Sequence, residues 1–158
     1  MRIVKIALIT SLALLFSLFA LNNMMDFDSN RLFVQHVLSM DTTFKHQSIM
    51  WRAISNPTIQ LCSYYVIIGW EIITALVCWC GSFALLSNIN ASSIQFNQAK
   101  KIASFGLLLG FLLYMVGFII IAGEWFCMWQ STLWNGQQTA GLFINFILLT
   151  LIVLMIKD

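Results

Sequence analysis

The chain has 158 residues, of which 60% are apolar and only 9% are charged, with eight Lys and Arg against six Asp and Glu. A soluble domain carries about 25% charged residues, so these side chains are too few to cover a water-soluble globule of mean hydropathy +0.87, and so apolar a chain has too much to bury to be disordered. A net charge of +2 with one adjacent basic pair, Lys100-Lys101, also excludes nucleic acid as a partner, and an integral membrane protein remains.

A bilayer core about 30 Å thick is crossed by roughly 17–25 apolar helical residues. Ile3–Leu21 is the first such run. Met1-Arg2-Ile3-Val4-Lys5 has the form of a signal-peptide n-region, but the run outlasts the usual ~7–15 residues of an h-region. Leu18-Phe19-Ala20 is also a poor small-x-small cleavage site, so an uncleaved anchor is expected.

Loop one, Asn22–Gln60, is too apolar for a plain linker. Asp28 or Ser29 is placed to cap a helix running to Met40, along which Phe33, Val34, Val37, Leu38 and Met40 recur at helical spacing. Thr42 or Thr43 is placed to cap a second helix with Ile49, Met50, Ala53 and Ile54 on one face. One or two amphipathic helices lying on or in the outer interface are expected, packed onto the bundle top or, as the alternative, forming a separate binding domain, and closed by a break at Asn56-Pro57.

The second run, Leu61–Leu86, is long enough to tilt or protrude, and Glu71 is the sole acid deep within it. A charge near the midplane costs at least about 2.5 kcal/mol. Tyr64, Ile67 or Ile68, Glu71, Thr74, Cys78 and Ser82 follow at helical spacing, a polar stripe expected to face the bundle. Two readings of Glu71 stand: a proton or ion site, or the partner of a cation in another subunit, on one side, and a protonated, hydrogen-bonded structural group on the other. Apart from Lys5 no basic residue lies inside another span, so an ion-pair partner must come from loop one or another chain.

Loop two, Ser87–Lys101, is a polar connector that places its basic pair at headgroup level. The third run, Ile102–Ala122, contains Gly106-Leu-Leu-Leu-Gly110, and Tyr114, Gly117, Ile121 and Glu124 continue that face. Small residues let helix backbones approach; packing within the chain is the expected use, with dimerisation the alternative. Loop three, Gly123–Thr139, crowds Trp125, Trp129 and Trp134 beside Glu124 and an Asn135-Gly136 turn signal. The last run, Ala140–Ile156, is short and borrows Gln137–Thr139 as an interfacial first turn.

The runs are continuously apolar, which favours helices over barrel strands. The expected fold is an all-α integral membrane protein: a single domain over 1–158 with four transmembrane helices (about 3–21, 61–86, 102–122 and 140–156) and amphipathic helices in the first outer loop. With the N-terminus inside, Arg2, Lys5, Lys100, Lys101 and Lys157 are cytoplasmic. Arg31, Lys45 and Arg52 lie outside on a long loop that also carries Asp26, Asp28 and Asp41. Both termini are therefore expected in the cytoplasm, on the same side as the Asn90-Ala91-Ser92 sequon.

Phe33-Val-Gln-His-Val-Leu-Ser-Met-Asp-Thr-Thr-Phe44, Met50-Trp-Arg-Ala-Ile54, Gly123-Glu-Trp125, Met128-Trp-Gln130 and Trp134-Asn-Gly-Gln137 resemble a bacterial family of predicted small integral membrane proteins of unassigned function. The resemblance spans nearly the whole chain. It implies four transmembrane helices and an inner-membrane location, and it carries over no reaction. Both signature blocks lie on the side expected to be extracytoplasmic.

That outer side supplies His36, Asp41, Arg52, Glu124 and Asn135 amid Trp51, Trp125, Trp129 and Trp134. Aromatics with Arg dominate binding hot spots, and convergent polar groups in an apolar surround make ligand pockets. The competing reading is a lid, with Arg52 paired to Asp41 or Glu124. Cys62 and Cys127 both lie near the outer boundary, and their spacing leaves a disulfide open. The absence of CxxC, and of any cysteine in loop one, argues against a quinone-coupled thiol oxidase. His36 and His46 near the loop-one acids match no zinc spacing, so no metal is expected. No histidine lies in a span to hold a b-type haem, and no nucleotide-binding glycine loop or nucleophile elbow is present, so no cofactor is expected.

Two functions follow. The first is a non-enzymatic accessory or interaction subunit that binds a partner or lipid at its periplasmic face, beyond its bilayer contact, with another membrane protein or a second copy as partner. The alternative is a small transporter or proton-coupled membrane enzyme using Glu71.

Overall fold

The computed structural model describes residues 1–45 and 48–158. His46 lies outside them, and with it half of the histidine pair weighed as a metal site. Among the described residues the chain is helical with no strand. Four helices are long and apolar enough to cross a membrane: α1 (Arg2–Met25), α3 (Pro57–Ser87), α4 (Ser93–Leu112, prolonged to Trp125) and α5 (Gln137–Met155). A shorter α2 (Phe27–Ser39) lies in loop one.

Local chemistry sets the ends. The Asn56 carboxamide accepts from the backbone N–H of Thr58 (2.9 Å) and Ile59 (3.3 Å), and Pro57 takes the first helical position, where a missing N–H costs nothing. The break expected at Asn56-Pro57 is thus the cap of α3. Ser92 and Gln95 cap α4 reciprocally, which shortens the connector expected over Ser87–Lys101. The N-cap of α2 is Asp26, two or three residues earlier than expected; the Ser29 hydroxyl donates to its carboxylate, and Asp28 pairs instead with Arg31. Met40 ends α2 in the left-handed conformation, with φ 55°.

The second helix expected in loop one reduces to a single 3₁₀ turn, Met50–Arg52. The Thr43 hydroxyl turns back to the Met40 carbonyl and that of Thr42 to Ser131, so neither caps a helix. The Ile54 N–H bonds the Leu38 carbonyl (2.8 Å), which ties the segment to the end of α2 rather than to its own turn.

α3 is the central element, packing most extensively on α1 and α4. Along the antiparallel α1–α3 seam the polar contacts run in sequence: Thr10 to Ser82 (2.6 Å), Trp79 to Ser17 (3.0 Å), and Asn23 to Glu71 (2.6 Å). The stripe Tyr64, Ile68, Glu71, Thr74, Cys78 and Ser82 is buried, as its spacing requires. Between α3 and α4 small residues close the gap. A Cβ on Gly81 would lie 2.5 Å from Ala103 Cα, and one on Gly106 would lie 2.7 Å from Cys78 Sγ. Gly110 faces Phe16 and Ile147. The glycine pair of α4 therefore packs inside the chain.

From Leu113 to Trp125 the helix winds wider, with i→i+5 hydrogen bonds that end in Phe126 N–H to Ile121 O (3.0 Å). This shifts the expected face. Gly106, Gly110 and Tyr114 are buried, but Ile121 and Glu124 turn outward. Leu76, Phe83, Leu149 and Ile152 also face outward, at the lipid-facing belt.

Where the two termini meet, the Lys5 ammonium and Lys100 Nζ (2.7 Å) share the Asp158 carboxylate, and both donate to the Ile156 carbonyl. Arg2 closes the same end on the carbonyls of Ile89 and Ala91, both 2.7 Å away, with its guanidinium 4.7 Å from the Phe96 ring.

Candidate functional site

An acid at the middle of a spanning helix needs a partner or a cavity, and the elements packed on α3 give Glu71 both. The side chain is 4% exposed and lines a cavity of about 440 Å³ at the end of the bundle opposite the termini. α1 outlasts its apolar run by a turn, and that turn brings Asn23 over Glu71: Asn23 Nδ2 donates to Glu71 Oε2 at 2.6 Å. The Tyr64 hydroxyl donates to the Asn23 carbonyl (2.8 Å), fixing the amide from above. Asn22, Asn30, Asn135 and Thr139 also line the cavity.

The rest of the wall is aromatic. Tyr114 is 5.0 Å from Phe143 and 5.5 Å from Phe118, Phe19 is 4.8 Å from Phe143, and Phe33 of α2 stacks on Phe118 at 6.4 Å. No Lys, Arg or His among the described residues lines this space. The arrangement offers one carboxyl, several amides and a set of π faces.

Loops one and three meet above the cavity. The Phe44 N–H donates to the Gln130 amide oxygen (3.1 Å), and Thr42 bonds Ser131 (2.9 Å). His36 Nδ1 lies 2.7 Å from Asp41, and its ring stacks on Trp134 at 4.6 Å. Arg52 pairs with neither Asp41 nor Glu124. Its guanidinium lies over Trp125 (4.5 Å) and beside Trp51 (5.6 Å), and it donates to the Trp125 carbonyl. Its Nε is buried with no hydrogen-bond partner among the described residues. Glu124 accepts from Gln137 (3.4 Å), and Trp129 meets Phe44 edge to face.

Of the residues singled out from sequence, Glu71 and Asn135 share the cavity. His36, Asp41 and Trp134 form one cluster in the cap, Arg52 and Trp125 a second, while Trp129 stands apart on Phe44. Cys62 and Cys127 are both free thiols, the first exposed and the second buried.

A family profile matches residues 1–157. The chain belongs to the family of predicted small integral membrane proteins (DUF2165). No curated protein and no solved structure matches it. Family membership and the four long apolar helices together make this a multi-pass integral membrane protein in contact with lipid.

Sequence reasoning passed over four residues that this family member places around Glu71. Asn22 and Asn23 follow the apolar run and read as loop, yet they belong to α1. Asn30 and Thr139 carried no signal beyond polarity next to a span. A helix allowed to continue past Leu21 by one turn would have put Asn23 on the face of α1 that already held Phe16 and Ala20.

Proposed function

We propose that the protein is a small proton-coupled transporter of the inner membrane, with both termini in the cytoplasm and Glu71 as the group that binds proton and substrate in turn. The observation that carries this is a buried carboxyl at the floor of a roomy cavity, met by an amide and by no cation among the described residues. A structural glutamate needs a partner but no space beside it; this one has both. In a low-dielectric site an ionised carboxylate is costly alone. Glu71 is neutral with its own proton and neutral again when a cation neutralises the carboxylate, so one proton leaves as one monovalent cation arrives. Asn23 donates to the carboxyl in either state.

The test is proton release. Purified protein in weakly buffered detergent solution is titrated with sodium, ammonium and tetramethylammonium chloride while a pH dye is read. The expected result is release of up to one proton per chain that vanishes in Glu71→Gln. Absence of any Glu71-dependent release with all three salts overturns the reading. A second reading, an accessory subunit that docks a membrane partner on its outer face, is favoured by the apolar side chains the cap leaves uncovered, Trp51 at 72% and Leu133 at 80% exposure.

A further inference from the structure

We infer that the ligand of this site is an amphipathic organic cation, with its ammonium group held between Glu71 and the aromatic wall and its alkyl chain laid in the groove between α3 and the outer part of α4. This rests on the Glu71 reading and names its substrate class.

Three observations point to it. The first is the wall. Phe19, Tyr114, Phe118 and Phe143 form a continuous set of rings around the space that holds the buried Glu71 carboxyl. Carboxylate and π faces together are the chemistry that recognises an alkylated ammonium, which offers charge and no hydrogen-bond donor. An anionic head meets the Glu71 carboxylate and no compensating cation among the described residues.

The second is a neighbouring space. The tight α3–α4 contact at Gly81 and Gly106 ends before the outer halves of these helices, which part around a groove of about 510 Å³. Its lining is nearly all apolar, from Ile59 and Val66 on α3 to Leu113 and Ala122 on α4, and the Ser63 hydroxyl within it is already bonded to the Ile59 carbonyl. The third is continuity. Phe33, Val34, Ile67 and Phe118 line both the groove and the polar cavity. The stacked Phe33–Phe118 pair is thus the partition between a place for a charged head and a place for a chain.

The test uses a decyltrimethylammonium probe with a diazirine at the chain end, and a decanoate probe of the same length, on protein in phosphatidylcholine nanodiscs. The cationic probe is expected to label Thr58–Ile67 and Leu113–Phe126. Labelling should fall at least about tenfold in Glu71→Gln, the loss of one charge-assisted contact. The decanoate probe should label the lipid-facing belt without regard to Glu71. Gly117→Phe fills the groove from a position where a Cβ meets only Leu113, at 3.9 Å. It should abolish groove labelling and leave proton release by tetramethylammonium unchanged, which also reports that the variant is folded. Equal labelling by both probes, or no effect of Glu71→Gln, overturns the inference. If sodium, ammonium or tetramethylammonium still releases a Glu71-dependent proton, the transporter reading survives that failure; if none of the three does, both fall.

Discussion

Asn23 Nδ2 and Glu71 Oε2 meet at 2.6 Å across the α1–α3 seam, and this contact joins the stability of the bundle to the chemistry of its cavity. A hydrogen bond to a buried acid is worth more when broken from one side than when removed whole.

Asn23→Leu should therefore destabilise the protein by about 1–3 kcal/mol, through a Glu71 carboxyl left without its donor. The double variant Asn23→Leu/Glu71→Leu should recover most of that loss. Thermal unfolding in a mild detergent, read as a double-mutant cycle, checks both. Additive losses would mean the two side chains do not act as a pair.

Backbone approach at Gly81 gives a second expectation. A Cβ there would lie 2.5 Å from Ala103 Cα and 2.7 Å from its N, atoms that cannot step aside. Gly81→Ala should cost about 1–3 kcal/mol as α3 and α4 are forced apart. Gly69→Ala on the same helix, with nothing within 4 Å of the new Cβ, should be neutral or slightly stabilising. Melting temperatures of the two variants side by side decide the matter.

The end that joins the termini predicts an acid limit. Burial alone pushes the Asp158 carboxyl up, but the hydrogen bonds and charges of Lys100 and Lys5 outweigh it and hold it below its ordinary value of 3.8. A carboxyl depressed in the folded state contributes stability that is complete above the unfolded value and is lost as pH falls through the folded one. Melting temperature should thus be flat in this contribution above about pH 4 and fall below it, a fall that Asp158→Asn removes while lowering stability at neutral pH. An unchanged acid profile in Asp158→Asn would reject the assignment.

Orientation is read by fusions. A reporter inserted at Asn90 should report cytoplasm and one at Lys45 the exterior, because Arg2, Lys5, Lys100, Lys101 and Lys157 gather at the end remote from Lys45. An exterior signal at Asn90 would invert the protein.

Much of the fold was legible because membrane helices announce themselves by length and apolarity. The Glu71 stripe was legible because helical spacing alone puts Tyr64, Thr74 and Ser82 on its face. What was not legible depends on tertiary contact. Nothing in Leu113–Trp125 distinguishes i→i+5 from i→i+4 winding, so Ile121 and Glu124 were placed on the wrong face. Arg52 was matched to carboxylates by charge, whereas the fold gives Asp41 to His36 and gives Arg52 two indole rings. Asn23 was missed because hydropathy marks where apolar residues stop, not where the helix does.

The wide winding of Leu113–Trp125 also bears on which changes in chain length the protein tolerates. A helix bonded i→i+5 holds surplus residues for the distance it covers. Deleting one residue between Val116 and Ile121 lets the segment tighten toward ordinary α-winding, with both ends still anchored and the span still filled. Placed at Gly117, the same deletion should turn Phe118 away from Phe33, the ring it stacks on, and open the partition between the two spaces. Insertion into the bilayer and the division between the two spaces thus depend on one stretch of chain but respond differently to its length, and a relative one residue shorter there would keep the fold and change the shape of its cavity.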